Sequence, residues 1–247
     1  MRYAISDIHG EYELFVRLMD KIAFSSSDEL FVCGDITDKG EDGIRLLQLI
    51  FSMPNAHCIL GNHEYAFLKY YWALMRSSPE DFSEVLSRLR GYFPPPDGDL
   101  LDWDTVDRTE NLPFYIEEED FICVHAGLPT DDSCRIVPPQ SVKPEFLVND
   151  RTFKEPHVLP RDGKCVFFGH TPARYVCGED RIIPYVRKDM SGERIADYCK
   201  VHLDTGVYLS GVLGCFCMDP CRAVYVKKYR KSTKKFRPAA TQRAAGR

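Results

Sequence analysis

The sequence predicts an α/β fold: a two-sheet β-sandwich flanked by helices, with a small helical subdomain at one side. Three observations predict it. Short apolar runs alternate with helical patterns through the first sixty residues, as parallel strands joined by crossover helices do. Five of the apolar runs end in a Gly- or Ser-bearing stretch that carries Asp, Asn or His. Beyond residue 200 the chain alternates like antiparallel strands, which reads as the closing of a second sheet.

Arg2–Ser6 is the first strand and leads into Asp7-Ile8-His9-Gly10. An Asp and a His two apart in extended backbone point to one side. Glu11–Lys21 reads as a helix with Leu14, Leu18 and Ile22 in one stripe. The second strand, Leu30–Cys33, runs into Gly34-Asp35-Ile36-Thr37-Asp38-Lys39-Gly40. Gly34 permits a sharp turn, and Asp35 emerges past the strand end, where open α/β sheets place their ligands. Gly43–Ser52 is a second helix, and Ala56–Leu60 is a third strand ending in Gly61-Asn62-His63-Glu64.

Tyr65–Met75 and Pro79–Arg90 read as further helices. Residues from about 77 to 111 form the peripheral subdomain, broken at Pro94-Pro95-Pro96-Asp97-Gly98. Phe121–Val124 is a strand ending in His125-Ala126-Gly127. Cys165–Phe168 is another, ending in Gly169-His170. Between them, 131–160 is Pro-rich and loop-like but contains Asn149-Asp150-Arg151. Leu209–Cys217 and Ala223–Val226 supply the closing antiparallel strands.

The 247 residues fit one such domain, residues 1–226, followed by a basic tail. Lys227 to Arg247 holds nine Lys/Arg and no Asp/Glu, which leaves 23 basic against 37 acidic groups in the body. An acidic body suits divalent cations, and the tail reads as a solvated, flexible end. With only Tyr229 and Phe236 in the tail, it lacks the aromatic interleaving of a single-strand nucleic-acid binder. The cysteines sit in apolar runs as small hydrophobes, no leader-like apolar stretch opens the chain, and no run is long enough for a membrane. These point to a reducing, cytoplasmic setting.

The candidate ligands are Asp7, His9, Asp35, Asn62, His125 and His170. Three imidazoles, two carboxylates and an amide suit Mn, Fe or Zn better than Ca, which prefers oxygen alone. They are too many for one tetrahedral site. They fit two ions sharing a carboxylate, with Asp35 as the bridge. Such a pair can acidify a water and clamp the oxygens of an in-line displacement, with no protein nucleophile.

Asp7-Ile8-His9-Gly10, Gly34-Asp35-x-x-Asp38-Lys39-Gly40, Gly61-Asn62-His63-Glu64, His125-Ala126-Gly127 and Gly169-His170 together resemble the signature of the PPP family. These are metal-dependent serine/threonine protein phosphatases with a calcineurin-like metallophosphoesterase fold. The chain looks most like the small bacterial and bacteriophage lambda type, over about residues 1–215. The resemblance implies that Asp7, His9 and Asp35 hold one metal, and Asp35, Asn62, His125 and His170 the other. It implies that the attack on phosphorus is by a hydroxide held between the metals. His63 would be the general acid, Asp38 the carboxylate that orients it, and Arg151 a phosphate clamp, with Asn62 also near the phosphate. Manganese is the first choice of metal, with Fe, Zn or Mg as alternatives. A phosphorylated protein or peptide is the implied substrate.

Two positions depart from the family pattern. Ser6 stands where Gly is usual. Lys39 stands where Arg is usual, keeping the charge beside the phosphate but losing the planar fork. Segment 91–104 matches no family pattern. A symmetrical dinucleoside polyphosphate hydrolase shares nearly all these motifs and is the runner-up. A non-catalytic metal-bound or nucleic-acid-binding protein is the reading from another class.

Overall fold

The computed structural model describes residues 1–90, 101–161 and 163–228. It is a sandwich of two five-stranded mixed sheets. The first strands and helices follow in βαβ order: β1 (Arg2–Ile5), α1 (Tyr12–Lys21), β2 (Glu29–Val32), α2 (Gly43–Ser52), β3 (Ala56–Cys58) and α3 (Asn62–Met75). β1, β2 and β3 pair in parallel, with Tyr3 opposite Leu30 and Leu30 opposite Ala56.

Alternate side chains on these strands divide between two cores, as a period of two requires. Tyr3, Ile5, Leu30 and Val32 face Leu14, Phe15 and Leu18 of α1 and Leu46, Leu47 and Ile50 of α2. Ala4 and Phe31 point the other way, between the sheets, to meet Phe121, Cys123 and Phe167. Each large apolar side chain fully buried in this way contributes about 1.5–3 kcal/mol.

α4 (Phe82–Arg90) and α5 (Trp103–Glu110) pack beside α3 through Phe67, Leu68, Leu89 and Val106. Asp102 caps α5, accepting the Thr105 N–H at 2.8 Å. Residues 91–100, which hold the Pro-rich break, lie outside the described residues, as does the tail from residue 229. Lys227 ends the last strand, and Lys228 pairs with Glu11.

The second sheet contains β4 (Tyr115–Glu117), β5 (Phe121–Val124), β6 (Cys165–Phe168), β7 (Ile183–Val186) and β8 (Tyr198–His202), in the order β4-β5-β6-β8-β7. The Pro-rich stretch is less irregular than its composition suggests. It contains α6 (Pro144–Asn149), with Pro at the first helical position, where its missing N–H costs nothing. The short helices α7 (Arg174–Cys177) and α8 (Val207–Ser210) follow β6 and β8.

The last two strands differ from the sequence expectation. β9 (Val212–Cys217) and β10 (Arg222–Lys227) form a hairpin that joins the first sheet, with β9 antiparallel to β1. They do not close the second sheet. β9 is buried on both faces, with Leu213, Cys215 and Cys217 toward α1 and Phe216 between the sheets. All ten cysteines are free. No helix among the described residues is long and apolar enough to cross a membrane.

Candidate metal centre

The carboxyl ends of β1, β2, β5 and β6 deliver Asp7 and His9, Asp35, His125 and His170 respectively. Asn62 and His63 do not extend a strand. They open α3, whose N-cap is Gly61.

The backbone at these positions is strained. Asp7 (φ 53°), His9 (49°), Asp35 (53°) and His170 (71°) lie in the left-handed region, as do Asp38 (66°) and Lys39 (64°). Such conformations cost of order 1–3 kcal/mol each for residues other than glycine. The extended backbone expected at Asp7 and His9 is therefore absent. Their N–H groups instead bond to the Gly34 and Asp35 carbonyls, at 3.1 and 3.0 Å, tying the two ligand loops together. Two glycines are demanded by crowding. A Cβ on Gly61 would lie 2.1 Å from Asp35 Oδ1, and one on Gly169 would lie 2.0 Å from Asp7 Oδ2.

Asp35 is the hub. Its Oδ2 lies 3.8 Å from His9 Nε2 and 3.7 Å from His63 Nε2, and its Oδ1 lies 3.4 Å from His125 Nε2. Asp7 Oδ1 lies 3.8 Å from His9 Nε2. Asn62 Oδ1 lies 3.0 Å from His125 Nε2 and 2.8 Å from His170 Nδ1. Two donor groups result, His9–Asp35–His63 and Asp35–His125–His170, each with ligand atoms within 4.8 Å of one another. Asp35 belongs to both. All six predicted ligands are thus brought together, and His63 joins them.

The surroundings set ring tautomers. His9 Nδ1 lies 3.2 Å from the Thr37 carbonyl and His125 Nδ1 lies 2.8 Å from the Cys33 carbonyl. A carbonyl only accepts, so each Nδ1 carries the proton and each Nε2 is turned to the carboxylates, as in metal-bound histidine. Burial, then the charge on His125, lowers the pKa of His170 to about 4, which keeps its ring neutral. Burial pulls His125 down, yet Asp35 outweighs it and raises that pKa to about 10. The carboxylate calls for positive charge on that ring or beside it.

Asp7 Oδ1 and His170 Nε2 are buried with no hydrogen-bond partner. An unpaired buried carboxylate oxygen is costly unless a cation meets it. With imidazole, carboxylate and amide donors convergent, the residues fit two divalent ions of the first transition row.

Around this hub, His63 Nδ1 lies 2.5 Å from Asp38 Oδ2. Lys39 is an exposed residue, yet its side chain reaches inward, with Nζ 3.2 Å from His9 Nε2. Arg151 follows α6 and its Nη1 donates to Thr171 Oγ1 at 3.3 Å, beside His170. Ser6 has a positive use here: its hydroxyl donates to Asp7 Oδ2 at 2.6 Å and lies 3.0 Å from the Cys33 carbonyl. Sequence reasoning missed Glu64 as a structural anion and Tyr208 as a neighbour of His9. Glu64 carried a signal, since Glu at the third helical position after a tight turn is a capping residue.

The chain spans a little under half the length of the named relatives it matches. A protein of Dechloromonas aromatica (strain RCB) named as a symmetrical bis(5'-nucleosyl)-tetraphosphatase is 34% identical over 130 residues, 51% of this chain and 43% of its own. One of Aggregatibacter actinomycetemcomitans with the same name is 28% identical over 131 residues, 52% and 45% respectively. Among solved structures, one described provisionally as a diadenosine tetraphosphatase superposes with a TM-score of 0.61 at 18% identity, covering 93% of this chain and 94% of its own. A metallophosphoesterase from Sphaerobacter thermophilus does so with a TM-score of 0.54 at 16% identity, covering 92% and 88%. These two share the fold. The family model for calcineurin-like phosphoesterases matches residues 3–211, from the first strand to the turn before β9. At that breadth, wider than the protein phosphatases alone, the chain belongs to the calcineurin-like phosphoesterase family.

Proposed function

We propose that this metallophosphoesterase hydrolyses dinucleoside polyphosphates, cutting them symmetrically. The observation that carries hydrolysis is Asp35, shared by two donor groups 3.4–3.8 Å from three imidazoles. The substrate class is supported by the names of the relatives.

In this reading Asp7, His9 and Asp35 hold one divalent ion, and Asp35, Asn62, His125 and His170 hold the other, with manganese the first choice. Asp7 is preferred to His63 as a ligand on physical grounds. Its Oδ1 is buried and unpartnered, while His63 is half-buried and already held by Asp38. When bound, the ions acidify a water and neutralise phosphate charge. His63 gives a proton to the leaving oxygen and Asp38 fixes its ring. Lys39 and Arg151 contact the phosphate oxygens.

A second reading, phosphomonoesterase action on phosphoproteins, is favoured by one feature. The His63–Asp38 pair is an acid for a poor leaving group such as a serine alkoxide. A nucleoside diphosphate is a better leaving group and depends on that proton less.

The test is a manganese-loaded assay on diadenosine tetraphosphate and on a phosphoserine peptide. The proposal expects ADP as the sole nucleotide product and a higher kcat/KM on the dinucleotide. ATP plus AMP as products, or a preference for the peptide, would overturn it.

A further inference from the structure

Tyr208 is a large aromatic side chain that the fold leaves open at the mouth of the metal centre. It is 45% exposed, although its ring packs edge-on against His9, which is 3% exposed. The two ring centroids are 5.8 Å apart with planes at 81°. The Lys39 ammonium stands 4.4 Å from the centroid of the tyrosine ring. One aromatic group therefore touches both a candidate metal ligand and a candidate phosphate ligand, and still shows much of its surface to solvent.

The mounting of this ring is built into the fold. Asp204 Oδ1 accepts the Gly206 N–H at 2.7 Å, and the Thr205 hydroxyl donates to the Val212 carbonyl at 2.7 Å. Gly206 (φ 62°) and Gly211 (φ 66°) bracket α8 in the left-handed conformation that glycine tolerates. Val207 is fully buried and anchors the turn, which rotates Tyr208 outward. Leu209 beside it is 39% exposed and widens the apolar surface. Water gains nothing from such a surface, and a flat ring beside phosphate-binding cations matches the two ends of a nucleotide, an aromatic base and an anion.

We propose that Tyr208 is the stacking platform for the nucleobase of a nucleotide substrate, whose phosphate passes Lys39 to reach the metal centre. It is a specificity residue, and the identity of its ligand as a nucleotide rests on the dinucleoside polyphosphate reading.

The experiment compares two inhibitors of p-nitrophenyl phosphate hydrolysis by the manganese-loaded protein: AMP, and ribose 5-phosphate, which lacks the base. The parent should bind AMP about ten-fold more tightly, the scale of one stacked base. In Tyr208→Leu, which keeps apolar packing on His9 but has no ring, the ratio should fall to within about two-fold, and Tyr208→Trp should restore it. Both inhibitors are measured on one enzyme, so a general loss of turnover cancels in the ratio. Calorimetric titration of the same two ligands gives that ratio for a variant too slow to assay. Equal inhibition in the parent, or an undiminished ratio in Tyr208→Leu, overturns the platform. A parent that leaves diadenosine tetraphosphate intact yet loses its AMP preference in Tyr208→Leu would sink the reaction reading and sustain the platform.

Discussion

Glu64 Oε2 accepts the backbone N–H of Asp35 at 2.9 Å, from inside the protein. The same oxygen takes the Gly61 N–H at 3.1 Å. Oε1 takes the N–H groups of Ile36 and Thr37, at 3.0 and 2.9 Å, and the Thr37 hydroxyl at 2.7 Å. One fully buried carboxylate thus shapes the loop that presents the hub of the site. By taking the N–H of Gly61, the N-cap, it also caps the helix that presents Asn62 and His63.

Glu64→Gln should therefore unfold more easily. An amide offers one acceptor oxygen where the carboxylate has two, and turns an NH2 group toward buried N–H donors. The expected loss is about 3 kcal/mol in urea unfolding of the metal-free protein. An unshifted midpoint would contradict the anchoring role.

Asp35→Asn should lower bound metal below two ions per chain and abolish activity, because one carboxylate serves both donor groups. Elemental analysis of the reconstituted variant checks this. Two full equivalents would remove Asp35 from the bridge.

His63→Ala should keep the metal and lose on the order of 10²–10⁴-fold in turnover of an alkyl phosphate ester. The loss should shrink for p-nitrophenyl phosphate and for a phosphoric anhydride, whose leaving groups need little protonation. Equal losses across the three substrates would mean that His63 does not protonate the leaving oxygen.

Lys39 is within reach of both His9 and Tyr208. Removing its charge in Lys39→Ala should lower kcat/KM by about 1–3 kcal/mol of transition-state binding. Lys39→Arg should hold or raise it, since a guanidinium donates two parallel hydrogen bonds. A Lys39→Ala enzyme with parental kcat/KM would exclude contact with phosphate.

Lys200 provides a pH test away from the metal centre. Its ammonium is fully buried among Phe153, Phe168 and Tyr185, and donates to the Phe153 and Glu155 carbonyls. Burial lowers its pKa from 10.5 to about 7. Between those values the unfolded chain holds a proton that the folded chain has released, so stability rises with pH from about 7 toward 10.5. The rise is at most about 1.4 kcal/mol per pH unit. Lys200→Met should abolish that component. The stability difference between parent and variant, measured by urea unfolding at pH 7 and pH 9, should shift in favour of the parent at the higher pH. A difference independent of pH would mean that Lys200 does not titrate there.

Most of the chemistry was legible because it is written locally. Strand periodicity, helical stripes and glycines at turns placed Asp7, His9, Asp35, His125 and His170 at strand ends, and βαβ order made β1, β2 and β3 parallel neighbours. Three features were not legible. The β9–β10 hairpin could have joined either sheet, because a strand buried on both faces carries no mark of its partner. Its place beside β1 was settled by Phe216 fitting between the sheets while Leu213 and Cys215 met α1. The left-handed backbone at Asp7, His9, Asp35 and His170 is imposed by hydrogen bonds between loops distant in sequence, against local preference. The reach of Glu64 to the Asp35 loop, and of Tyr208 to His9, likewise spans distant parts of the chain. Sequence by itself determined which donor types stand at which strand ends, since that depends on neighbours along the chain. Tertiary structure alone decided how those ends converge on Asp35, because convergence is a property of packed sheets and not of any one segment.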